Sequence, residues 1–267
     1  MIDRYAVIGN PVAHSVSPQI HDAFAAATGH SLRYEKILAD AFAPAAAGFF
    51  QAGGLGLNVT VPFKQDAFDW VDRVDDAARE AQAVNVVMRA NDRYRGHNTD
   101  GVGLVRDLMG NLGLTLENRR VLVLGAGGAV RGVLGPLLRA GVGEVTVANR
   151  TKSRARALQQ VFPDIHAVAL GDVGQGFDIV INGTSAGMAG EVPDVDPRAV
   201  RSAFCYDMFY AHSGDTPFCA WSRRHDATGV AGGLGMLVEQ AAETFFLWRG
   251  VRPPTAGVAG SLAPGRD

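Results

Sequence analysis

The stretch Val121-Leu122-Val123-Leu124-Gly125-Ala126-Gly127-Gly128-Ala129 decides the fold. An apolar run of valine and leucine enters a glycine cluster directly, and beyond it Val130, Val133, Leu134, Leu137 and Leu138 recur at helical spacing. Strand, tight turn and helix in that order form the opening unit of a dinucleotide-binding βαβ fold. Gly125 permits the turn at the strand end. Gly127 removes a side chain that would hold a pyrophosphate off the backbone, and the first N–H groups of the helix face that anion. Glycine also marks ordinary turns, and Val130 stands where the GxGxxG pattern has its third glycine. The sequel favours the nucleotide site: a second strand, Glu144 to Ala148, leads into Asn149-Arg150-Thr151.

That second strand also chooses the cofactor. A preference for NAD usually puts a carboxylate about 20 residues past the glycines, to bond the ribose 2′-hydroxyl. Here the chain has Asn149, Arg150, Thr151 and then Arg154. Guanidinium groups grip a 2′-phosphate with paired hydrogen bonds. The alternative is a solvated first helical turn, but cations there oppose the helix dipole. The expected cofactor is NADP(H).

Length and composition narrow the rest. A chain of 267 residues suggests one large or two modest domains, and an apolar content of 47% is ample for their cores. The net charge of −2 gives no reason to expect nucleic acid or an anionic membrane as partner. No apolar run reaches transmembrane length, and the first residues lack the pattern of a signal peptide. Cys205 and Cys219 fit neither a disulfide framework nor a metal motif, so a reducing cytoplasm is expected. The histidines are scattered and predict no metal. Only Lys36, Lys64 and Lys152 among 25 basic residues are lysine. In a chain that prefers arginine, a retained lysine marks a place where a removable proton has a use.

Residues 1–100 read as alternating strands and helices. A strand at Tyr5 to Gly9 is followed by a loop with His14 and Ser15, and Ser17-Pro18 reads as helix cap and first helical residue. Ile20 and Phe24 point that helix inward. In Leu55 to Lys64, Leu57, Val59 and Val61 alternate with Asn58 and Thr60, the period of a strand with one apolar and one polar face. Pro62 ends its ladder, which leaves Lys64 just past a strand end, where α/β active sites collect. A solvent-facing sheet edge would show the same alternation. Asp75, Asp76 and Glu80 look like the acidic start of a helix. Ala83 to Arg89 reads as a strand with Asn85 set among valines, where an amide needs a partner.

A turn at Asn91-Asp92 leads to His97-Asn98-Thr99-Asp100-Gly101, which is either a plain loop or the wall of an interdomain cleft before a helix at Val102 to Met109. Phe177 to Ile181 is a buried strand ending in Asn182-Gly183-Thr184-Ser185, and Phe204 to Met208 is another, followed by Tyr210. Gly229 to Gly235 opens a final helix in which Gln240 is the polar exception, and Pro253-Pro254 begins a frayed tail.

The stretches AVIGNPVAHSVSPQIH, NVTVPFK, AVNVV, HNTDGVG, GAGGAVRGV, NRTKSRA, YDMFY, TPF and GLGMLVEQ resemble, in order, the successive motifs of the shikimate dehydrogenase family, over nearly the whole chain. The resemblance implies NADPH-dependent, reversible reduction of 3-dehydroshikimate to shikimate, on the route to aromatic amino acids. It implies an α/β fold of two domains: a substrate domain of residues 1–101 plus 238–267, and a Rossmann-type, doubly wound NADP domain of residues 102–237. The last helix returns to the first domain. Lys64 and Asp100 match the catalytic pair. Ser15, Ser17 and Tyr210 match the carboxylate-binding groups, and Asn58, Thr60, Asn85 and Gln240 those that bond the ring hydroxyls together with Asp100.

On the cofactor side the matching residues are Gly125, Ala126, Gly127, Gly128 and Ala129, then Asn149, Arg150, Thr151, Lys152, Ser153 and Arg154, and further Thr184, Met208, Gly233 and Asp76. Lys64 would hydrogen-bond the carbonyl oxygen and stabilise alkoxide charge. A carboxylate beside an amine favours the ammonium form, which suits that role better than proton release. The expected partner is the small-molecule substrate, with the chain a monomer or homodimer. Two rivals remain: a paralogue acting on quinate or a related acid, and a non-catalytic NADP-binding sensor on the same fold.

Overall fold

The computed structural model describes residues 2–91, 93–211 and 214–262. The chain divides into two units, one running to Gly103 and resuming at Leu237–Leu262, the other Leu104–Met236.

In the first unit the elements are β1 (Asp3–Gly9), α1 (Ser17–Thr28), β2 (Leu32–Leu38), α2 (Phe42–Gln51), β3 (Gly54–Val59), α3 (Lys64–Trp70), β4 (Arg73–Val74), α4 (Asp76–Ala81), β5 (Val86–Ala90) and β6 (Arg93–His97). Their sheet has the order β2-β1-β3-β5-β6-β4. β1 and β3 run parallel, β5 runs antiparallel to β3, and β6 antiparallel to β5. The ends of β1, β3 and β6 and the start of β5 therefore share one edge of the sheet. Both faces are covered: Leu57 and Val59 of β3 pack with Phe42, Phe50 and Phe63, while Tyr5 and Val7 of β1 pack with Tyr34 on the other face. A solvent-facing edge is thereby excluded for Asn58, which is buried on an interior strand.

α5 (Asp100–Arg106) crosses into the second unit and continues as a π-helical turn at Asp107–Asn111. There follow β7 (Arg120–Leu124), α6 (Gly128–Arg139), β8 (Glu144–Asn149), α7 (Lys152–Val161), β9 (Ile165–Ala169), β10 (Ile179–Asn182), β11 (Phe204–Asp207), α8 (Pro217–Arg224) and β12 (Gly229–Gly232). All strands are parallel in the order β12-β11-β10-β7-β8-β9. This is the doubly wound arrangement, and its order reverses between β7 and β10. Alternate residues of β7 enter opposite cores: Val121 and Val123 join one, Leu122 and Leu124 the other. α9 (Leu234–Arg249) then re-enters the first unit, where Arg249 pairs with Asp3, and α10 (Val258–Leu262) closes the described chain.

The structure corrects several local expectations. Val16, not Ser17, occupies the cap position of α1; Ser17 is already helical and makes no capping bond. The β3 ladder ends at Val59, because Thr60 to Phe63 turn, so Val61 is exposed rather than buried. The strand expected from Ala83 begins at Val86, and the helix expected from Val102 begins at Asp100. Gly229–Gly232 is a strand, not the opening of the last helix. Of the residues after Pro254, expected as a frayed tail, Val258–Leu262 form α10, and those beyond Leu262 lie outside the described residues. At the expected turn Asn91 adopts φ 58°, and Asp92 lies outside the described residues.

Candidate active site

The shared edge of the first sheet gathers the polar residues. Lys64, the first residue of α3, donates to Asp100 Oδ2 at 2.5 Å, and Asp100 is the first residue of α5. A lysine at a helix start opposes the helix dipole, so capping does not explain it. Asp100 Oδ1 accepts from Asn85 Nδ2 at 2.8 Å, and the Asp100 N–H is held by Asn98 Oδ1 at 3.1 Å. Asn85 stands just before β5, where it also donates to Thr99 Oγ1 at 2.9 Å and accepts from the Thr99 N–H at 2.9 Å. The amide among valines thus has its partners.

Gln240 and Thr244, one turn apart on α9, join the same network. Gln240 Oε1 accepts from Thr99 Oγ1 at 3.3 Å, and Thr244 Oγ1 accepts from Asn58 Nδ2 at 3.4 Å. Asn58 Oδ1 in turn accepts from the buried Tyr34 hydroxyl at 2.8 Å. On the loop after β1, the Ser15 hydroxyl donates to Ser17 Oγ at 3.1 Å. Thr60 is half-buried at the end of β3. The hydrogen bonds therefore connect Lys64, Asp100, Asn85, Gln240 and Asn58 into one network and Ser15 with Ser17 into a second pair. Tyr34, Asn98, Thr99 and Thr244 were not singled out as site residues from sequence. Asn98 and Thr99 stood in the quoted polar loop, whereas Tyr34 and Thr244 carried no local signal.

Tyr210 belongs to the second unit, on the loop after β11, where its ring stacks on Phe209. Asp76 lies in the first unit, exposed and paired with Arg79 at 2.6 Å.

In the second unit the glycine turn stands at the point where strand order reverses. Gly125 has φ 108°, and a Cβ there would lie 3.0 Å from the Gly183 carbonyl oxygen, so both conformation and space demand glycine. Gly127 differs. Its φ is −85°, and a Cβ would meet no protein atom within 4 Å. Nothing in the protein requires glycine at 127, but a group outside the chain, seated on the start of α6, would. Val130 is fully buried, and its Cγ2 lies 2.6 Å from where a Gly183 Cβ would stand, so Gly183 gives the room that the missing third glycine would have given.

Gly233 likewise admits the Met208 carbonyl oxygen, 2.4 Å from a would-be Cβ. At the end of β8, Asn149 Nδ2 donates to the Thr151 carbonyl at 2.9 Å, while Arg150, Thr151, Ser153 and Arg154 are exposed. Lys152 pairs with Asp172 at 3.2 Å, whereas Arg150 and Arg154 have no ion pair among the described residues. Two uncommitted guanidiniums beside an open glycine turn fit a phosphorylated dinucleotide. No helix among the described residues is long and apolar enough to cross a membrane, and no cluster of three or more potential ligands for a metal ion occurs among them.

Known proteins show the same arrangement. Residues 7–87 match the profile of the shikimate dehydrogenase substrate binding domain, residues 107–189 that of shikimate / quinate 5-dehydrogenase, and residues 233–262 that of the shikimate 5'-dehydrogenase C-terminal domain. A shikimate dehydrogenase (NADP(+)) of Alkalilimnicola ehrlichii is 53% identical, over 99% of this chain and 100% of that one. An Ael1 enzyme from Pseudomonas putida has a crystal structure that is 43% identical with a TM-score of 0.93, covering 99% of this chain and 100% of that one. The shikimate 5-dehydrogenase of Thermus thermophilus, solved in complex with NADP(H) and shikimate, is 32% identical with a TM-score of 0.87 over 98% of each chain. Near-complete coverage by such relatives, on this fold and with these side chains at its strand ends, means that the chain belongs to the shikimate dehydrogenase family.

Proposed function

We propose that this chain catalyses the reversible, NADPH-dependent reduction of 3-dehydroshikimate to shikimate, with Lys64 and Asp100 as its catalytic pair. The observation that carries the residue assignment is the 2.5 Å bond between Lys64 and Asp100 at the shared edge of the first sheet, where the neutral groups of Asn58, Asn85, Thr99 and Gln240 belong to the same hydrogen-bond network. A small polyhydroxy acid needs many such groups, and a buried polar site of this kind rejects analogues that lack a hydroxyl. Bound NADPH supplies the hydride.

The chain's own residues do the rest. Lys64 holds the carbonyl oxygen and stabilises the negative charge that grows on it. Asp100 keeps Lys64 in place and accepts a ring hydroxyl, Asn85 holds Asp100, and Asn58, Thr60 and Gln240 address the remaining hydroxyls. Ser15 and Ser17, with Tyr210, take the carboxylate. Gly125 to Ala129 receive the pyrophosphate, and Asn149 to Arg154 the adenosine 2′-phosphate, with Thr184, Met208 and Gly233 on the other half of the dinucleotide. Asp76 is retained as an acidic residue on the cofactor side. The first unit is the substrate domain and the second the NADP domain. The enzyme works as a monomer or homodimer in the cytoplasm, a setting supported by two buried, unpaired thiols.

A second reading has a specific observation behind it: the profile matched by residues 107–189 covers quinate as well as shikimate dehydrogenases. A non-catalytic sensor is disfavoured, because a sensor needs the pocket but not the Lys64–Asp100 pair.

The test is Lys64→Ala. Turnover should fall by roughly 10²–10⁴-fold, the range for losing one group acting directly on the reacting atoms, with shikimate affinity changed far less. An unchanged kcat with a greatly raised KM would refute the assignment.

A further inference from the structure

Asp207 ends β11 in register beside Asn182, which ends β10, and both side chains are fully buried. No cation answers the Asp207 carboxylate among the described residues. Three neutral donors hold it instead. The Thr216 hydroxyl donates to Oδ2 at 2.6 Å, and Asn182 Nδ2 and the Phe209 N–H each donate to Oδ1 at 3.1 Å. Burial raises the pKa of this carboxyl, and the same three bonds oppose the rise. An anion buried without a countercharge costs stability that an apolar pair at these strand ends would not.

The arrangement has a consequence one residue further along. With its NH₂ turned to Asp207, Asn182 must turn its carbonyl oxygen the other way, where it accepts from the Thr184 N–H at 3.1 Å and the Thr184 hydroxyl at 2.8 Å. A flipped amide would set its NH₂ against the Thr184 N–H and its carbonyl oxygen against the Asp207 carboxylate, losing both bonds. The Thr184 hydroxyl proton is therefore committed to Asn182, and its free lone pairs make Thr184 Oγ1 an acceptor toward any ligand.

The sheet order says which part of a dinucleotide lies there. The 2′-phosphate-reading arginines follow β8, the pyrophosphate turn follows β7, and β10 is the next strand in that direction. The half over β10 is then the nicotinamide half, whose carboxamide NH₂ is a donor. We propose that Asp207 is a positioning residue that, through Asn182, sets the Thr184 hydroxyl as acceptor for the nicotinamide carboxamide. Asp207 also holds, through the Phe209 N–H, the turn that carries Met208. The inference rests on the assignment of the second unit to NADP.

The experiment compares dissociation constants for NADP and for its 3-acetylpyridine analogue, in which a methyl ketone replaces the carboxamide and the donor is gone. Wild-type protein should bind NADP about tenfold more tightly than the analogue, the worth of one hydrogen bond to a group otherwise left unpaired. Thr184→Val and Asp207→Asn should abolish that preference, weakening NADP and leaving the analogue nearly unchanged, and the double variant should lose no more than either single one. Thr216→Val, which removes only the strongest bond to Asp207, should reduce the preference with less risk to folding, and Thr216→Ser should keep it. A preference retained in Asp207→Asn and Thr216→Val, or absent from the wild type, would overturn the inference while leaving the nucleotide assignment intact. Wild-type protein that binds neither nucleotide would overturn both.

Discussion

Lys64 and Asp100 join the starts of two helices: Nζ and Oδ2 are 2.5 Å apart, and each residue is the first of its helix, α3 and α5. The other oxygen of Asp100 is taken by Asn85, so one carboxylate fixes two side chains from different elements. Asp100→Asn puts an NH₂ against either the ammonium or the Asn85 amide. The expected result is a fall in kcat of roughly 10²-fold or more, with a stability loss of about 1–3 kcal/mol from the donor left unpaired. Steady-state kinetics and thermal melting on the same preparation check both parts.

Asn85→Ala leaves the Thr99 N–H and Asp100 Oδ1 without their partner in a buried setting. Stability should fall by about 1–3 kcal/mol, and the KM for shikimate should rise while that for NADP stays within about twofold. Denaturant unfolding and separate titration of the two substrates give the answer. An equal rise in both KM values would contradict a role confined to the substrate side.

The two glycines of the turn separate folding from binding. Gly125→Ala must strain a residue held at φ 108° and crowd Gly183, so it should cost about 1–3 kcal/mol of stability. Gly127→Ala meets no protein atom, so stability should stay within about 0.5 kcal/mol while NADP affinity falls sharply. Melting curves with and without NADP distinguish the two. A Gly127→Ala protein that binds NADP like the wild type would remove the pyrophosphate from this turn.

Arg150 and Arg154 are exposed and uncommitted, so truncating them should cost the fold little. Arg150→Ala should raise the KM for NADP by about ten- to a hundredfold, as for loss of a charge-assisted phosphate contact, and leave turnover with NAD unchanged.

His21 is fully buried among Tyr34, Phe24, Phe245 and Trp248, neither ring nitrogen has a partner at hydrogen-bond geometry, and burial, opposed in part by nearby Asn58, pushes its pKa down from 6.5 to about 3. The unfolded chain therefore binds a proton below pH 6.5 that the folded chain refuses until about pH 3. Stability falls as the pH drops through that window, by up to about 1.4 kcal/mol per pH unit from this group. In His21→Leu the slope of unfolding free energy against pH should flatten there. An unchanged slope would show that the acid sensitivity lies elsewhere.

The second unit could be read from sequence because its signals are local: an apolar strand running into glycines, then a helical period, then arginines at the next strand end. The first unit yielded less. β6 escaped because Arg93, Tyr94, Arg95 and Gly96 give no apolar alternation; Tyr94 meets Trp70 and Phe50 while the exposed arginines face solvent. In the second unit β12 alone of the strands beside β10 and β11 escaped, because Gly229-Val230-Ala231-Gly232 reads as a turn until β11 is beside it to accept its ladder. Asn58 and Thr60 could not be distinguished from a solvent-facing edge because sequence does not say that β3 is interior. Tyr34 and Thr244 act at sequence separations of 24 and 186 residues from Asn58, and no local pattern reports such contacts. Asp207 and Thr216 lay within the quoted motifs, yet their bond needs the fold to become visible.

The most direct test of the account is initial-rate oxidation of shikimate and of quinate, each with NADP and with NAD, followed by the near-ultraviolet absorbance of the reduced nicotinamide. Rapid turnover of shikimate with NADP, and little with the other three pairs, is the expected result. Faster turnover of quinate, or a preference for NAD, would contradict it and move the chain to the quinate-type branch; no turnover of any pair, with NADPH still bound, would contradict catalysis itself.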